Sequence, residues 1–323
     1  MMKLARRRFL HLTASAATLP VISRIAIAQS YPTRPVRIIV GFPAGGASDI
    51  YARLIGQLLT ERLGQQIIID NRPGANGNIG TEASVRAPAD GHTLLLVGSY
   101  NTILYERLNF VFLRDIMPVG GIIRVPLLLA VNPLVPVSTV PEFIAYAKSN
   151  VGKLNMASNG VGNITHVAGE LFKTMTGVNM LHVPYRGGAL SLIDLISGQV
   201  QVMFTDLTSS MEYIRAGKLR ALALTVFSRV NAFPDLPAVS DFVPGYEAST
   251  WYGVGAPRNT LIEIIGKLNR EIIEGLRDPK LTSRLAELGG ELFPMTATEF
   301  GKHLADETEK WSKVAKLAGI RAE

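Results

Sequence analysis

The 323-residue chain contains no cysteine, which excludes disulfides, thiolate nucleophiles and cysteine-ligated zinc or iron–sulfur centres. Histidine is nearly as scarce: past the N-terminal segment only His92, His166, His182 and His303 occur, none at metal-ligand spacing, so each reads as a helix-end, core or surface residue. The sequence also lacks a G-x-S-x-G elbow, an H-E-x-x-H pair, a Walker A loop and a G-x-G-x-x-G opening a helix. No metal or cofactor is expected. The longest apolar stretch beyond the N-terminus, 122–137, is broken by Arg124, Pro126, Asn132, Pro133 and Pro136, so it cannot cross a bilayer as a helix. There is no basic run interleaved with aromatics, and nucleic acid is therefore not an expected partner.

What is present begins with an export-like segment. Lys3, Arg6, Arg7 and Arg8 precede a mostly apolar run, and Ala26-Ile27-Ala28 has the small-x-small pattern of a cleavage site, so residues 1–28 read as a removed signal and the destination as the periplasm. Arg6-Arg7-Arg8-Phe9-Leu10 matches the core of a twin-arginine leader, with an ordinary secretory signal as the alternative. The segment holds five basic residues, Arg24 included, and no acid, so its removal lowers the formal charge from +7 to +2.

From Val36 onward, short β-rich runs alternate with longer segments of helical period, the pattern of an α/β fold with largely parallel sheets. Runs at 36–40, 67–69, 94–97, 127–131, 154–157, 180–183, 199–204, 219–226 and 249–256 read as strands or extended segments, 73–80 as a glycine-rich turn and 227–245 as a long loop. Pro279 separates two helical segments, and Thr298 reads as the N-cap of the last helix.

The chemistry-bearing segments lie where strands turn into helices. In Phe42-Pro43-Ala44-Gly45-Gly46-Ala47-Ser48-Asp49, small residues expose backbone N–H groups at a helix start, a site suited to a carboxylate or phosphate; a tight turn capped by Ser48 or Asp49 is the alternative. Asp49 reads as ordering the loop, because a carboxylate beside an anion repels it. Ser158-Asn159-Gly160-Val161-Gly162-Asn163 repeats the arrangement with hydroxyl and amide side chains. Tyr185-Arg186-Gly187-Gly188 adds a cation able to form a bidentate fork, or one simply solvated at the surface. Asp206 suits a ligand hydroxyl, amine or water, or else caps the next helix. Trp251 and Tyr252 read as packed strand residues, with cleft lining as the alternative.

Several ordered segments resemble the periplasmic solute receptors of tripartite tricarboxylate transporters, the TctC or Bug type. They include Arg34-Pro35-Val36, Phe42 through Asp49, Asn71-Arg72-Pro73-Gly74-Ala75, Ala87-Pro88-Ala89-Asp90-Gly91-His92, His182-Val183-Pro184-Tyr185-Arg186-Gly187, Pro234-Asp235-Leu236-Pro237 and Trp251-Tyr252-Gly253. The resemblance spans nearly the whole chain past residue 28. It implies a two-lobe binding-protein fold with the ligand between the lobes, a small organic carboxylate as ligand, no metal, and membrane permease subunits as partners. It places Phe42, Pro43, Ala44, Gly45, Gly46, Asp49, Ser158, Asn159, Gly162, Asn163, Tyr185, Arg186, Gly187 and Asp206 around the cleft. Asn76-Gly77-Asn78 and the runs 99–104 and 109–118 depart from the family pattern, which bears on ligand identity rather than fold.

The expected organisation is one lobe from 29–128 with 251–323, a second from 129–250, and a monomer whose lobes close on the ligand. An exported hydrolase or lyase using Asp206, Asp49 or His166 as base, and a ligand sensor for a membrane signalling protein, are the rival readings.

Overall fold

Val36, Ile38 and Val40 alternate with Ile39 along the first strand, and the two sets enter different cores, as the period of two requires. The computed structural model describes residues 31–102, 108–226 and 233–320; the export-like segment 1–28 and part of the loop 227–245 lie outside them. Its elements are β1 (Val36–Val40), α1 (Ala47–Leu63), β2 (Ile67–Asn71), α2 (Asn78–Val85), β3 (Thr93–Gly98), α3 (Phe112–Asp115) and β4 (Ile116–Val131). There follow α4 (Val140–Ser149), β5 (Asn155–Ser158), α5 (Ile164–Thr176), β6 (Leu181–Pro184), α6 (Gly188–Ser197), β7 (Val202–Asp206), α7 (Leu207–Arg215) and β8 (Arg220–Leu224). The chain ends in β9 (Ser249–Pro257), α8 (Ile262–Gly275), α9 (Pro279–Glu287), β10 (Glu291–Leu292) and α10 (Ala297–Leu317).

The fold is mixed α/β in two lobes that share one strand. In the first, β1 pairs in parallel with β2 and β3, β9 runs antiparallel between β3 and β4, and β10 adds to β4. In the second, β5 lies parallel between β6 and β7, while β4 is antiparallel to β7 and β8. β4 changes partners along its length: Pro126 faces Ser249 of β9, and Leu127 faces Asp206 of β7. The sequence suggests a strand only at 127–131; the structure absorbs Gly120 and Gly121 in register shifts against β9 and extends the strand over 16 residues.

Two other local readings change. The expected turn at 73–80 becomes a short 3-10 turn, Ala75–Gly77, followed directly by α2. The last helix is capped by Thr296, not Thr298: the Thr296 hydroxyl accepts from Glu299 N–H and the Glu299 carboxylate accepts from Thr296 N–H, because the capping box needs its acid three residues on.

Packing follows the sheet faces. One face of the first lobe packs Val36, Ile38, Leu94 and Leu96 against Tyr51 and Ile55 of α1 and Ile265 and Leu268 of α8. The opposite face packs Ile39, Leu95 and Val97 with Trp251, Phe300 and Leu304. The second lobe gathers Phe143, Phe172, Phe204 and Tyr246. α10 reaches both cores, through Phe300 at one end and Trp311 at the other.

Candidate functional site

Four parallel strands, β1, β5, β6 and β7, end at one cleft, where the loops that follow them start helices. That is where open α/β sheets hold ligands. An inner cavity of about 230 Å³ is lined by Phe42, Pro43, Gly46, Ala47, Ser48, Asn159, Asn163, Ile164, Arg186, Gly187, Gly188, Ala189, Leu190 and Asp206, with Tyr100, Thr250 and Tyr252 completing the wall. An outer chamber of about 410 Å³ shares Phe42, Pro43, Asn159 and Arg186 with it and adds residues of the 73–77 turn, Gly160, Val161 and Tyr185.

Four helices, α1, α5, α6 and α7, begin at the inner cavity, and α1, α6 and α7 have no side-chain cap. The first N–H groups of a helix have no acceptor within it, and its N-terminus carries roughly half a positive charge. The cavity is thus built for an anion from backbone groups. Among the described residues its only cationic side chain is Arg186, exposed at the rim where both chambers meet.

Each loop is fixed by its own side chains. The Asp49 carboxylate accepts from Gly45 N–H at 3.0 Å and from Arg53 Nε at 2.9 Å. Burial pushes this carboxyl up, but Arg53, Gly45 N–H and Asn71 outweigh it and hold the group below the ordinary value. Asp49 therefore orders the first loop and does not line either chamber. Gly45 takes φ +86°, where glycine alone is unstrained, and an added Cβ would meet nothing within 4 Å. Gly46 is the one of the pair that lines the cavity.

In the second loop Asn163 caps α5, accepting from Thr165 N–H at 3.1 Å, and its amide donates across the cleft to Asn76 Oδ1 at 2.9 Å. Asn159 Nδ2 donates to Asp206 Oδ2 at 3.3 Å, while Asn159 Oδ1 accepts from Ser191 Oγ. Ser158 is fully buried, 2.6 Å from His182 Nε2, and Gly162 N–H donates to His166 Nδ1; the two imidazoles stack at 3.6 Å. Burial, then the charge of His166, depress the His182 imidazole to about 3. Ser158 and Gly162 thus hold the loop from behind, and with Ala44 and Gly45 they lie outside both chamber walls.

Tyr185 lines only the outer chamber; burial and its 2.6 Å bond to Asp194 push the phenol to about 12. Gly187 has φ +117°, and a Cβ there would lie 3.2 Å from Pro43 Cδ of the other lobe. Asp206 occupies the N-cap position of α7 without capping it, and lines the cavity instead. Burial raises this carboxyl to about 6, against the lowering effect of Asn159 and the Asp206 backbone.

The sequence reading reached Gly187 but not Gly188, Ala189 and Leu190 at the start of α6, and it missed the wall formed by Tyr100 and Thr250, with Tyr252 favoured as core. Tyr100 and Tyr252 are buried aromatics whose signal is that of core, and Trp251, their neighbour, is core against Phe300. The glycine pair Gly187-Gly188 was a signal for a helix start that could have extended the site to Ala189 and Leu190.

The tripartite tricarboxylate transporter family receptor model, TctC, matches residues 51–320. The chain is 35% identical to protein BugT of Bordetella pertussis over 300 residues, covering 91% of this chain and 92% of that protein. It is similar in structure to R. palustris Rpa4515 with adipate, at TM-score 0.88 and 38% identity, covering 90% of this chain and 99% of the other. It is also similar to the periplasmic binding protein BugD, at TM-score 0.85 and 32% identity, covering 90% and 99%. Among the described residues no helix is long and apolar enough to cross a membrane.

Proposed function

The chain belongs to the tripartite tricarboxylate transporter receptor family, and from that premise we propose that it is an extracytoplasmic receptor that captures a small organic carboxylate and delivers it to the permease subunits of such a transporter. The observation that carries this reading is the convergence of four helix N-termini on one cavity between two lobes. Such a wall holds an anion through backbone N–H groups and needs no metal or cofactor.

In this reading Gly46, Ala47 and Ser48 from the first lobe, with Gly187, Gly188 and Asn163 from the second, surround one carboxylate, and Phe42 and Pro43 pack against the carbon chain. Arg186 meets a second polar end at the opening to the outer chamber, while Tyr185 borders that chamber. Ala44, Gly45, Asp49, Ser158 and Gly162 act through the shape of their loops. The relative solved with adipate makes linear dicarboxylates the first ligands to try. The lobes are 29–128 with 251–323, and 129–250; residues 1–28 are the export signal, and the protein acts in the periplasm as a monomer.

Binding without turnover is the expected behaviour. Ser158 and His182 approach each other as a nucleophile and base do, but Ser158 is fully buried and no substrate reaches its Oγ. A thermal-shift screen against mono-, di- and tricarboxylates, aromatic acids and amino acids tests the proposal, with each hit recovered and assayed. A stabilising acid recovered intact supports the receptor; a consumed hit supports the enzyme reading instead.

A further inference from the structure

Among the described residues, Asp206 is the single acidic side chain lining the inner cavity, in the space the proposed function gives to an anion. It is 5% exposed, and among the described residues no Lys, Arg or His forms an ion pair with it. Its side-chain donor is the neutral amide of Asn159. Without a ligand, the compensation for an ionised Asp206 comes from the surrounding helix N-termini, the groups a ligand carboxylate would take over. Two carboxylates in one small cavity do not both stay ionised, because each raises the proton affinity of the other.

We propose that ligand capture is coupled to proton uptake: when an anionic carboxylate enters the inner cavity, Asp206 binds one proton from solvent and donates it as a hydrogen bond to a ligand oxygen. One O–H bond forms on Asp206, and no bond in the ligand breaks. The inference rests on the receptor reading and adds to it that the cleft selects an anion together with a proton.

The surroundings of Asp206 fit this. Tyr51 of α1 and Tyr252 of β9 are held neutral by burial, and the field of Asp206 pushes each phenol further up. On α1, Asp49 is engaged by Arg53. On α5, Glu170 pairs with Lys173 and faces His166, and His182 of β6 stacks behind the loop on His166. In the segment from β6 into α6, Asp194 is bonded to Tyr185 and Arg186 lies at the rim. On α7 itself, Glu212 pairs with Arg215. Burial already holds the Asp206 carboxyl near 6, so a modest push from a ligand carboxylate carries it past neutrality.

The test is isothermal titration of the full chain with adipate, and with any acid that stabilises it in the screen, at pH 7 in two buffers of different ionisation enthalpy and then from pH 6 to 8.5. The expected result is uptake of up to one proton per ligand, with the dissociation constant rising by up to about tenfold per pH unit above neutrality. Asp206→Asn should show no proton uptake, an affinity that no longer varies with pH, and tighter binding than the wild type at pH 8. Binding by the wild type without proton uptake overturns the inference and leaves the receptor standing. So does loss of affinity in Asp206→Asn at every pH, which would make Asp206 an ionised acceptor for a ligand donor. If no acid binds at any pH, the receptor reading fails and the inference fails with it. Should Asp206→Asn not fold, the wild-type buffer series decides alone.

Discussion

Adjacent glycines in the first loop serve different ends. Gly46 lines the cavity, so a valine side chain there fills the anion's approach, and Gly46→Val should weaken carboxylate binding by more than a hundredfold in a titration while leaving a cooperative melt. Gly45 has open space around its Cβ but a φ of +86°, so Gly45→Ala acts through backbone strain, costing about 1 kcal/mol of stability, with a smaller loss of affinity than Gly46→Val. Arg186 supplies the only cation at the rim among the described residues. Arg186→Ala should weaken dicarboxylates by about tenfold or more, the worth of a charged hydrogen bond, and monocarboxylates much less; equal losses would assign it to structure. At this scale the sequence revealed the glycine and amide loops because they carry their own turn chemistry. Tyr100 and Thr250 were not legible as site residues, and Tyr252 was favoured as core over cleft, since buried residues of β9 and the β3 end read as core until the fold brings them to one wall.

Among the elements, strands and helices with clean periodicity, such as β1, α1 and α5, were legible in the sequence. β4 was not, because its prolines and glycines are tolerated only through the partners that β9 and β7 provide at distant positions in the chain. The start of α5 carries two duties at Asn163, the cap and the cross-cleft bond to Asn76. Asn163→Ala should cost about 1 kcal/mol for the lost cap and also weaken ligand binding. Behind the same loop, His182 is held neutral, with a native value near 3 against an unfolded value near 6.5. Between those values the unfolded chain binds a proton that the native state refuses. Stability is therefore complete above about pH 6.5 and falls as pH drops toward 3. Denaturant midpoints at pH 5 and 7.5 should differ less in His182→Asn than in the wild type.

Across the whole molecule, three segments among the described residues run from one lobe into the other. β4 passes between the sheets; beside it, Thr225 N–H donates to Leu127 O and Ala248 N–H donates to Thr225 O, tying the return crossing to β4. The Thr225 hydroxyl lies within bonding distance of both Leu127 O and Ala248 O, at 2.7 and 2.6 Å, yet has one proton to give. α10 supplies the third join, with the Glu307 carboxylate accepting from Trp251 Nε1 at 3.1 Å and Trp311 Nε1 at 2.9 Å. Trp311→Ala should cost about 3–5 kcal/mol, read by denaturant unfolding, because it empties a fully buried site in the second-lobe core. The α/β class was legible in the alternation of strands and helices and the two lobes were implied by the family resemblance, whereas this join depends on contacts between the last helix and both cores.

The central claim is that a carboxylate binds where the helix N-termini converge. Its most direct measurement is a calorimetric titration of wild type and Gly46→Val with the best-stabilising acid. One carboxylate bound per wild-type chain, with binding lost in a folded Gly46→Val, is the expected result; equal affinity in the two would contradict it.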